Sequence, residues 1–218
     1  MPFDSLNLAL EGEDDPQVVA QNLRIVLDNF APGDELVDLH QVHGAEVDVV
    51  EERTSSARPD ADGIVTGRTG VVLMVRAADC VPVLLADADA GVIGAAHCGR
   101  PGLAAEVVLA TVGRMRDLGA RSITAWIGPH VCGACYEVPE DLQAQVIAAV
   151  PASVATTSWG TPSLDLGAGV RAQLAGAGVS VHDVSRCTRE SADLYSYRRD
   201  GDRAGRLAGL IRLRGEER

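Results

Sequence analysis

Residues 60–106 read DADGIVTGRTGVVLMVRAADCVPVLLADADAGVIGAAHCGRPGLAAE, and this stretch sets the architecture of the chain. Its apolar runs are short, rich in β-branched residues and bounded by turns that contain Gly or Asp, so they predict buried strands rather than helices. Cys80 falls between two of these runs, and His97 closes the next one. Because side chains at strand ends are held rigidly and often carry function, we expect this thiol and this imidazole to share a site.

The segments on either side mix helices and strands without a regular alternation. Pro16 follows acidic residues and opens an apolar pattern that predicts a helix, whereas Gly44 interrupts an alternating pattern that predicts two strands within 36–50. No G-x-G-x-x-G motif follows the first strand, which argues against a dinucleotide-binding fold. We therefore predict an α+β fold. The other expected elements are a strand or edge segment at 1–10, a helix from Gly102 with Gly119 as its cap, strands at 123–129 and 179–184, and helices at 139–150 and 164–178.

Length and charge narrow the class of protein. The chain has 218 residues and no linker rich in Pro or Ser, so we expect one domain covering residues 1–218. All 19 basic residues are Arg and 31 residues are acidic, giving a formal net charge of −12 that argues against nucleic-acid and anionic-membrane partners. No apolar run reaches the roughly 20 residues of a membrane-spanning helix. An anion site would therefore need a local cluster of Arg side chains.

The cysteines indicate a reducing compartment. There are five of them, an odd number that cannot pair completely within one chain. The opening residues MPFDSLNLAL have neither the basic start nor the apolar core of a secretion signal. We therefore expect a cytoplasmic location.

His43, Cys80 and His97 form the first group of chemically capable side chains. They lie too far apart in sequence for a compact zinc finger, so only the fold could bring them together. Three N and S ligands would leave one position of a tetrahedral zinc ion open for catalysis. Two alternatives remain open from the residues alone. In one, Cys80 is a small buried hydrophobe and the histidines bond to backbone carbonyls. In the other, Cys80 is a metal-free nucleophile with His97 as its base, as in an acyl or amide hydrolase.

A second group is Cys132-Gly-Ala-Cys135, which follows His130. A C-x-x-C pair can bind a metal or cycle as a redox dithiol. A structural zinc site would need a second such pair, which the sequence lacks, so we expect a loop pair without a special role. Cys98 is expected to point away from His97, because neighbouring residues of a strand face opposite sides.

Arginines concentrate toward the end of the chain. Guanidinium groups grip phosphate bidentately, so this cluster is a candidate site for an anionic substrate. The alternative is a set of surface ion pairs with Glu190, Asp193, Asp200 and Asp202. The arginines concerned are Arg186, Arg189, Arg198, Arg199, Arg203 and Arg206.

Several motifs, taken together and in order, resemble one family over nearly the whole chain. The family is that of the laccase-domain purine nucleoside phosphorylases, formerly described as multicopper polyphenol oxidases and also called peptidoglycan editing factors. The motifs that carry the resemblance are SLNLAL (5–10), QVHG (41–44), ADG (61–63), AADCVPVLLAD (77–87), GAAHCG (94–99), IGP (127–129), CYEV (135–138), SYRRDG (196–201) and GRLAGLI (205–211).

The resemblance implies that His43, Cys80 and His97 bind zinc and carry the catalysis. It also implies a mixed α/β sandwich with mostly antiparallel or mixed sheets flanked by helices, which we expect as a monomer or homodimer. The implied reactions are the splitting of adenosine, inosine and methylthioadenosine by phosphate, and the deamination of adenosine, so the partners are a purine nucleoside and phosphate. Copper-dependent phenol oxidation is less favoured, because five His in the whole chain are few for copper electron transfer. The arginines expected to contact substrate or phosphate are Arg100, Arg198, Arg199 and Arg206.

The chain departs from the family pattern in three places. Residues 98–102 read Cys-Gly-Arg-Pro-Gly where the family usually has Ala-Gly-Trp-Arg-Gly, so an anion contact is lost unless Arg100 replaces it. His130 stands where a Cys is usual, and the family's opening strand before SLNL is expected to be missing. A further alternative is therefore a catalytically weakened protein that binds nucleosides.

Overall fold

Two β-sheets packed face to face, with helices against the larger one, form the framework of the protein. The computed structural model describes residues 5–51 and 58–215. The strands are β1 (Glu35–Asp38), β2 (Val47–Val49), β3 (Gly63–Thr66), β4 (Val71–Ala77), β5 (Val81–Asp87), β6 (Val92–Cys98), β7 (Thr124–Ile127), β8 (Val154–Thr156), β9 (Pro162–Leu164), β10 (Ser180–Asp183) and β11 (Leu207–Arg212). The helices are α1 (Pro16–Phe30), α2 (Arg100–Ala104), α3 (Val107–Asp117), α4 (Glu140–Ala149), α5 (Leu166–Gly176) and α6 (Tyr197–Asp200).

Parallel and antiparallel pairings occur in both sheets. The larger sheet has six strands in the spatial order β10-β7-β5-β6-β3-β2, and its central β5 and β6 are antiparallel. The smaller sheet has the order β1-β4-β11, with β4 parallel to β1 and antiparallel to β11. Strands β8 and β9 form a separate antiparallel pair. The predicted combination of mixed sheets and flanking helices is confirmed, whereas the boundary of a single domain at 1–218 stays a prediction.

The central apolar runs are divided between the two sheets. Strand β4 is buried along its full length and lies in the smaller sheet, whereas β5 and β6 lie in the larger one. Side chains of β4 and β6, among them Leu73 and Ile93, fill the layer between the sheets. A run that is apolar on both faces carries no alternation to reveal its sheet. The chain therefore crosses from the smaller sheet to the larger one in the turn at 78–80, which contains Cys80.

A second core lies between the larger sheet and its helices, chiefly α3 and α5. Two glycines allow α3 to approach the strands closely. A Cβ at Gly63 would lie 2.5 Å from Thr111 Oγ1, and a Cβ at Gly94 would lie 3.0 Å from Met115 Sδ. The close approach holds β3 and β6, which carry Asp62 and His97 at their ends, in a fixed relation.

The helix predicted from Gly102 is in fact two helices. Glu106 adopts a left-handed φ of 63° and separates α2 from α3. Non-Gly residues rarely adopt this conformation, and Glu106 has no sequence feature that signals the break. Gly119 does end the helical run, since its φ is 99° and its N–H donates to Arg116 O.

Most of the remaining predicted elements are present. Helix α1 begins at Pro16, and the side chain of Asp15 caps it by accepting from Gln17 N. The two strands predicted within 36–50 form, but they join different sheets. Residues 5–10, where a strand or edge segment was expected, form no strand, and residues 1–4 lie outside the described part. Among the described helices, none combines the length and apolar character needed to cross a bilayer.

Candidate metal centre and cavity

His43, Cys80 and His97 come together from three separate places in the fold. His43 lies in the loop between β1 and β2 with a left-handed φ of 60°, Cys80 directly precedes β5, and His97 lies in β6. The pairing of Pro82 with His97 places the start of β5 beside the end of β6. Cys80 Sγ lies 3.8 Å from His43 Nε2, and one ligand atom from each of the three side chains lies within 4.8 Å of the others.

Asp62 holds this group in place. Its Oδ1 lies 2.8 Å from His97 Nδ1, and its Oδ2 accepts hydrogen bonds from Gly44 N at 2.6 Å and Val42 N at 3.1 Å. One buried carboxylate thus fixes the His97 ring and the loop that carries His43. Burial opposes its ionisation, but the hydrogen bonds from His97 and Gly44 prevail and lower the pKa of Asp62.

With no metal ion bound, electrostatic interactions favour an ionised Cys80 beside a protonated His97. Burial opposes ionisation of the thiol, but the charge on His97 and hydrogen bonds from His43 and His97 lower the pKa of Cys80 to about 6. Burial also opposes protonation of His97, but the Cys80 thiolate and its bond to Asp62 raise the pKa of the imidazole to about 9. A thiolate in this setting is both a strong metal ligand and a nucleophile.

The donor set suits one divalent cation held by three protein groups. Two imidazoles and a thiolate are ligands that zinc and copper both accept, and three ligands leave one position of a tetrahedral ion open. Because Asp62 occupies Nδ1 of His97, Nε2 is the nitrogen left for a ligand bond. A Cβ at Gly99 would lie 2.7 Å from the His43 ring and 3.1 Å from Cys80 Sγ, so only glycine leaves room there.

Asp79 connects this centre to the end of the chain. It is buried beside Cys80 and has a left-handed φ of 91°, a conformation that is costly for a residue with a side chain. Its Oδ1 accepts from Thr188 Oγ1 and its Oδ2 from Arg198 N. Its own carbonyl accepts from Val131 N at 3.0 Å. The strained turn that presents Cys80 is therefore held by two distant loops and by α6.

The three candidate ligands open onto a cavity of about 560 Å³, a size typical of small-molecule sites. The wall includes aromatic and apolar side chains, among them Tyr136 and Leu166. Two acidic residues, Glu11 and Asp79, also line it. The cavity is nevertheless rich in positive charge in a protein of net charge −12. The lining guanidinium groups belong to Arg58, Arg76, Arg100, Arg198 and Arg206.

Three of the four arginines predicted to contact the substrate line this cavity. Arg198 lies 4.7 Å above the Tyr136 ring and donates to Glu137 O. Arg100 begins α2 at the cavity wall, and Arg206 Nη1 donates to Ala204 O. Arg199 lies outside the lining, and its guanidinium group donates to the carbonyl oxygens of the 188–194 loop. Of the rest of the cluster, Arg186 forms the expected type of surface ion pair, with Asp193.

Sequence reasoning missed Arg76, which is 7% exposed and lies at the end of β4. Its Nη1 pairs with Asp38 at 2.5 Å and its Nε donates to Leu8 O at 2.7 Å. Its Nη2 is buried without a hydrogen-bond partner in the described part of the chain. An arginine that ends an otherwise apolar strand was the available signal, since a buried charge needs a partner or a function.

The segment before α1 forms part of the same wall. Asn7 is fully buried, and its Oδ1 accepts from Arg206 N at 2.8 Å and from Ala9 N at 2.9 Å. Leu8 N donates to Arg206 O at 3.1 Å, and Leu8 O accepts from Arg76. Residues 7–9 therefore hold two of the cavity arginines.

The other cysteines separate into two environments. Cys98 faces the core between the larger sheet and the helices, opposite to His97, as predicted. Cys132 and Cys135 do not stand alone, because Cys187 and Glu190 approach them from another loop. His130 is not part of that group, and its Nδ1 lies 2.9 Å from Gly128 O.

Comparisons with known proteins agree with the motifs and the geometry. Residues 1–214 match the family described as multi-copper polyphenol oxidoreductase laccase. A purine nucleoside phosphorylase of Streptomyces coelicolor is 49% identical over 220 residues, which cover 98% of this chain and 90% of the relative. One from Mycobacterium bovis is 44% identical over 214 residues, covering 96% and 85%. The crystal structure of a Neisseria meningitidis protein matches with a TM-score of 0.87 at 32% identity over 99% of this chain and 89% of that one. These matches confirm the resemblance, and the chain belongs to the multi-copper polyphenol oxidoreductase laccase family.

Proposed function

We propose that this protein is a zinc-dependent purine nucleoside phosphorylase acting on adenosine, inosine and methylthioadenosine, and that the same site deaminates adenosine. The observation that carries the proposal is the convergence of His43, Cys80 and His97 at a cavity lined by arginines. The names of the relatives from Streptomyces coelicolor and Mycobacterium bovis support the phosphorylase assignment. A zinc ion held by these three side chains would supply Lewis-acid chemistry to the bound nucleoside.

Phosphorolysis needs a site for an anion next to the sugar. A phosphate oxygen forms a bond to C1′ of the ribose, the bond from C1′ to the purine nitrogen breaks, and the departing purine takes up a proton. Arg100, Arg198 and Arg206 are suited to hold the phosphate, because guanidinium groups bind it bidentately and all three line the cavity. Arg100 thereby substitutes for the arginine that the family usually places one residue later.

Tyr136 is suited to receive the purine. Its ring lies in the cavity wall under the Arg198 guanidinium, which is fixed by the bond to Glu137 O. Because Arg198 covers one face of the ring, a purine would pack against the part of the ring that Arg198 leaves open. Burial raises the pKa of Tyr136, so the hydroxyl keeps its proton and remains a hydrogen-bond donor at neutral pH.

Deamination would use the same bound nucleoside with water in place of phosphate. The oxygen of water bonds to C6 of adenine, and the C6 amino group leaves as ammonia. The attacking water supplies the proton that the departing amino group takes up. The two reactions then differ in which carbon of the nucleoside faces the centre.

The direct test is to incubate the zinc-loaded protein with adenosine and phosphate and to separate adenine, inosine and ribose 1-phosphate. We expect adenine and ribose 1-phosphate from the first reaction and inosine from the second. Cys80→Ala should abolish both, whereas Cys98→Ala, which removes a core thiol, should retain them. His182→Ala serves as an imidazole control, because His182 is exposed on β10 outside the cavity lining. No turnover by the wild type, or full turnover by Cys80→Ala, would exclude the proposal.

A cysteine hydrolase is the second candidate, and one observation favours it. Asp62, His97 and Cys80 are arranged in the order of an acid, a base and a nucleophile, and the pKa of Cys80 is lowered. This reaction predicts ester or amide hydrolysis that persists with chelators and stops when Cys80 is alkylated. Phosphate-dependent cleavage of adenosine that chelators stop would favour the metal-dependent enzyme instead.

Metal analysis separates zinc from copper. The three-donor group offers a single centre, and we propose that zinc occupies it. Zinc without copper in the active protein is the expected result. Oxidation of a phenol that depends on added copper, together with inertness toward nucleosides, would favour the family's older description.

A further inference from the structure

A second group of metal-binding side chains lies outside the candidate metal centre. Cys132 and Cys135 belong to the loop between β7 and α4, and Cys187 and Glu190 belong to the loop after β10. One ligand atom from each of the four residues lies within 4.8 Å of all the others. We call these residues the three-cysteine cluster.

The backbone around the cluster is shaped to bring the thiols together. Cys135 N and Tyr136 N both donate to Cys132 O, which forms a tight turn between the paired cysteines. Gly133 is needed in this turn, because a Cβ there would lie 2.9 Å from Asp165 Cβ. The Gly133 carbonyl accepts from Ser163 Oγ at 2.6 Å, which fixes the turn against β9.

Cys187 is brought to this turn by a short parallel bridge. Residues His130 and Cys187 pair, with His130 N donating to Arg186 O and Thr188 N donating to His130 O. Cys132 N lies 3.5 Å from Cys187 Sγ and donates to it. This bond holds the Cys187 sulfur against the turn that carries Cys132 and Cys135.

We propose that the three-cysteine cluster binds one zinc ion as a structural site, with Glu190 as the fourth ligand. Thiolate ligands favour zinc over hard cations such as magnesium and calcium. Four protein ligands leave no open coordination position, as in structural zinc sites. Sulfur atoms around a tetrahedral zinc ion lie about 3.8 Å apart, since each bond is about 2.3 Å long. The cluster therefore needs to contract by only about 1 Å to enclose the ion. Glu190 Oε1 lies 3.4 Å from Cys135 Sγ and is the one oxygen ligand of the group.

A disulfide explains fewer of these contacts. It would join two of the sulfurs and leave the third thiol and the Glu190 carboxylate without a reason for their position. All five cysteines are free thiols in this structure. A guanidinium group lies nearby, since Arg189, in the loop between Cys187 and Glu190, lies over the Trp159 ring.

The zinc ion would connect the two loops that support the candidate metal centre. Tyr136 in the cavity wall directly follows Cys135, and Thr188, which holds Asp79, directly follows Cys187. Asp79 in turn precedes Cys80. A metal in the cluster would therefore fix the cavity wall without taking part in the reaction.

The test counts metal in a protein that lacks the first centre. His43→Ala combined with Cys80→Ala leaves only His97 there, so zinc that remains bound reports on the cluster. We expect about one zinc per chain after purification, loss of that zinc when Cys187→Ala is added, and retention when Cys98→Ala is added instead. Cobalt in place of zinc should give an intense near-ultraviolet sulfur-to-metal band that also depends on Cys187. In this His43→Ala, Cys80→Ala background, a chelator should lower Tm only when the cluster is intact.

Three results would overturn the proposal. The first is a His43→Ala, Cys80→Ala protein without bound metal after zinc is supplied. The second is unchanged binding in the Cys187→Ala variant. The third is a titration of the denatured wild type that finds two thiols fewer than the five in the sequence, since this would mean a disulfide. If Cys187→Ala does not fold, Glu190→Gln is the variant to test instead. Glu190 is exposed, so its substitution should not prevent folding. It should weaken zinc binding at least about 10-fold, and unchanged affinity would refute the four-ligand site.

Discussion

Asp62 Oδ1 and His97 Nδ1 lie 2.8 Å apart, and the Asp62 side chain is fully buried. The same carboxylate accepts hydrogen bonds from the backbone of the loop that carries His43. A single side chain thus orients one candidate ligand directly and a second one through its loop. Partners of this kind set the ring orientation and the basicity of a metal ligand.

Asp62→Asn should therefore weaken both metal binding and turnover, although Asp62 is not itself a candidate ligand. The asparagine side chain is neutral and has one acceptor oxygen. It therefore cannot accept hydrogen bonds both from the backbone of the His43 loop and from His97, as the two oxygens of Asp62 do. We expect a loss of about 10- to 100-fold in metal affinity or in kcat/KM. Titration with zinc in competition with a chelator measures the first, and the adenosine assay measures the second. Asp60→Asn is the control, because Asp60 is exposed and bonds to His40 instead. Equal behaviour of the two variants would show that Asp62 does not position His97.

The reactivity of Cys80 should depend on pH in a distinctive way. In protein stripped of metal, alkylation by iodoacetamide should rise with pH around a midpoint near 6, because the thiolate forms as pH increases through the lowered pKa of Cys80. His97→Ala removes the nearby cation and should move the midpoint upward. Peptide mapping by mass spectrometry gives the rate for each thiol. Cys98, whose pKa burial raises, should stay unmodified in the folded protein. A Cys80 midpoint at the ordinary value of about 8.5 would contradict this account.

Gly99→Ala should damage the centre while leaving the fold intact. The added methyl group would lie 2.7 Å from the His43 ring and 3.1 Å from Cys80 Sγ, so the ligands must separate. We expect turnover to fall at least about 10-fold, as misplaced catalytic groups do. Gly113→Ala is a matched control within α3, where nothing lies within 4 Å of the new methyl group. It should raise stability by about 1 kcal/mol, because alanine favours helix over glycine. Circular dichroism, thermal unfolding and the adenosine assay distinguish the two outcomes.

Arg76→Met should be one of the most destabilising single changes in the chain. It leaves Asp38 as a buried carboxylate without its partner, and such changes cost about 3–5 kcal/mol. Urea unfolding followed by circular dichroism measures the difference in the free energy of unfolding. Arg114→Met is the comparison, because Arg114 forms an exposed pair with Asp117. That pair should be worth less than about 1 kcal/mol. A small effect at Arg76 would mean that the pair is not formed in solution.

The candidate ligands could be found from sequence, because each stands at the edge of an apolar run or in a motif with a Gly. His43, Cys80 and His97 meet these criteria, and the resemblance linked them. Asp62 could not be assigned its role in this way. Its position opposite His97 depends on the antiparallel pairing of β3 with β6, in which Gly63 lies across from Ala96. Residues that act through such cross-strand pairing have no local signature.

The sequence also could not show which of the two sheets each strand joins. The runs at 71–75 and 81–85 look alike, yet they lie in different sheets because the turn at 78–80 crosses between layers. The last strand, β11, contains Gly209 and follows an Arg-rich segment, so no pattern predicted it, although it pairs along most of β4. Cys187 could not be joined to the C-x-x-C pair either, since the bridge between His130 and Cys187 is made only in the folded chain.

The buried Asn7 has a practical meaning for anyone who trims or tags this protein. Removing residues up to Ala9, by a protease or by design, should leave soluble material with both sheets formed. Arg76 would then lose its acceptor on Leu8, and Arg206 would lose its anchor on Asn7. Such a shortened polypeptide would keep its secondary structure by circular dichroism, but it would unfold more easily and bind phosphate more weakly.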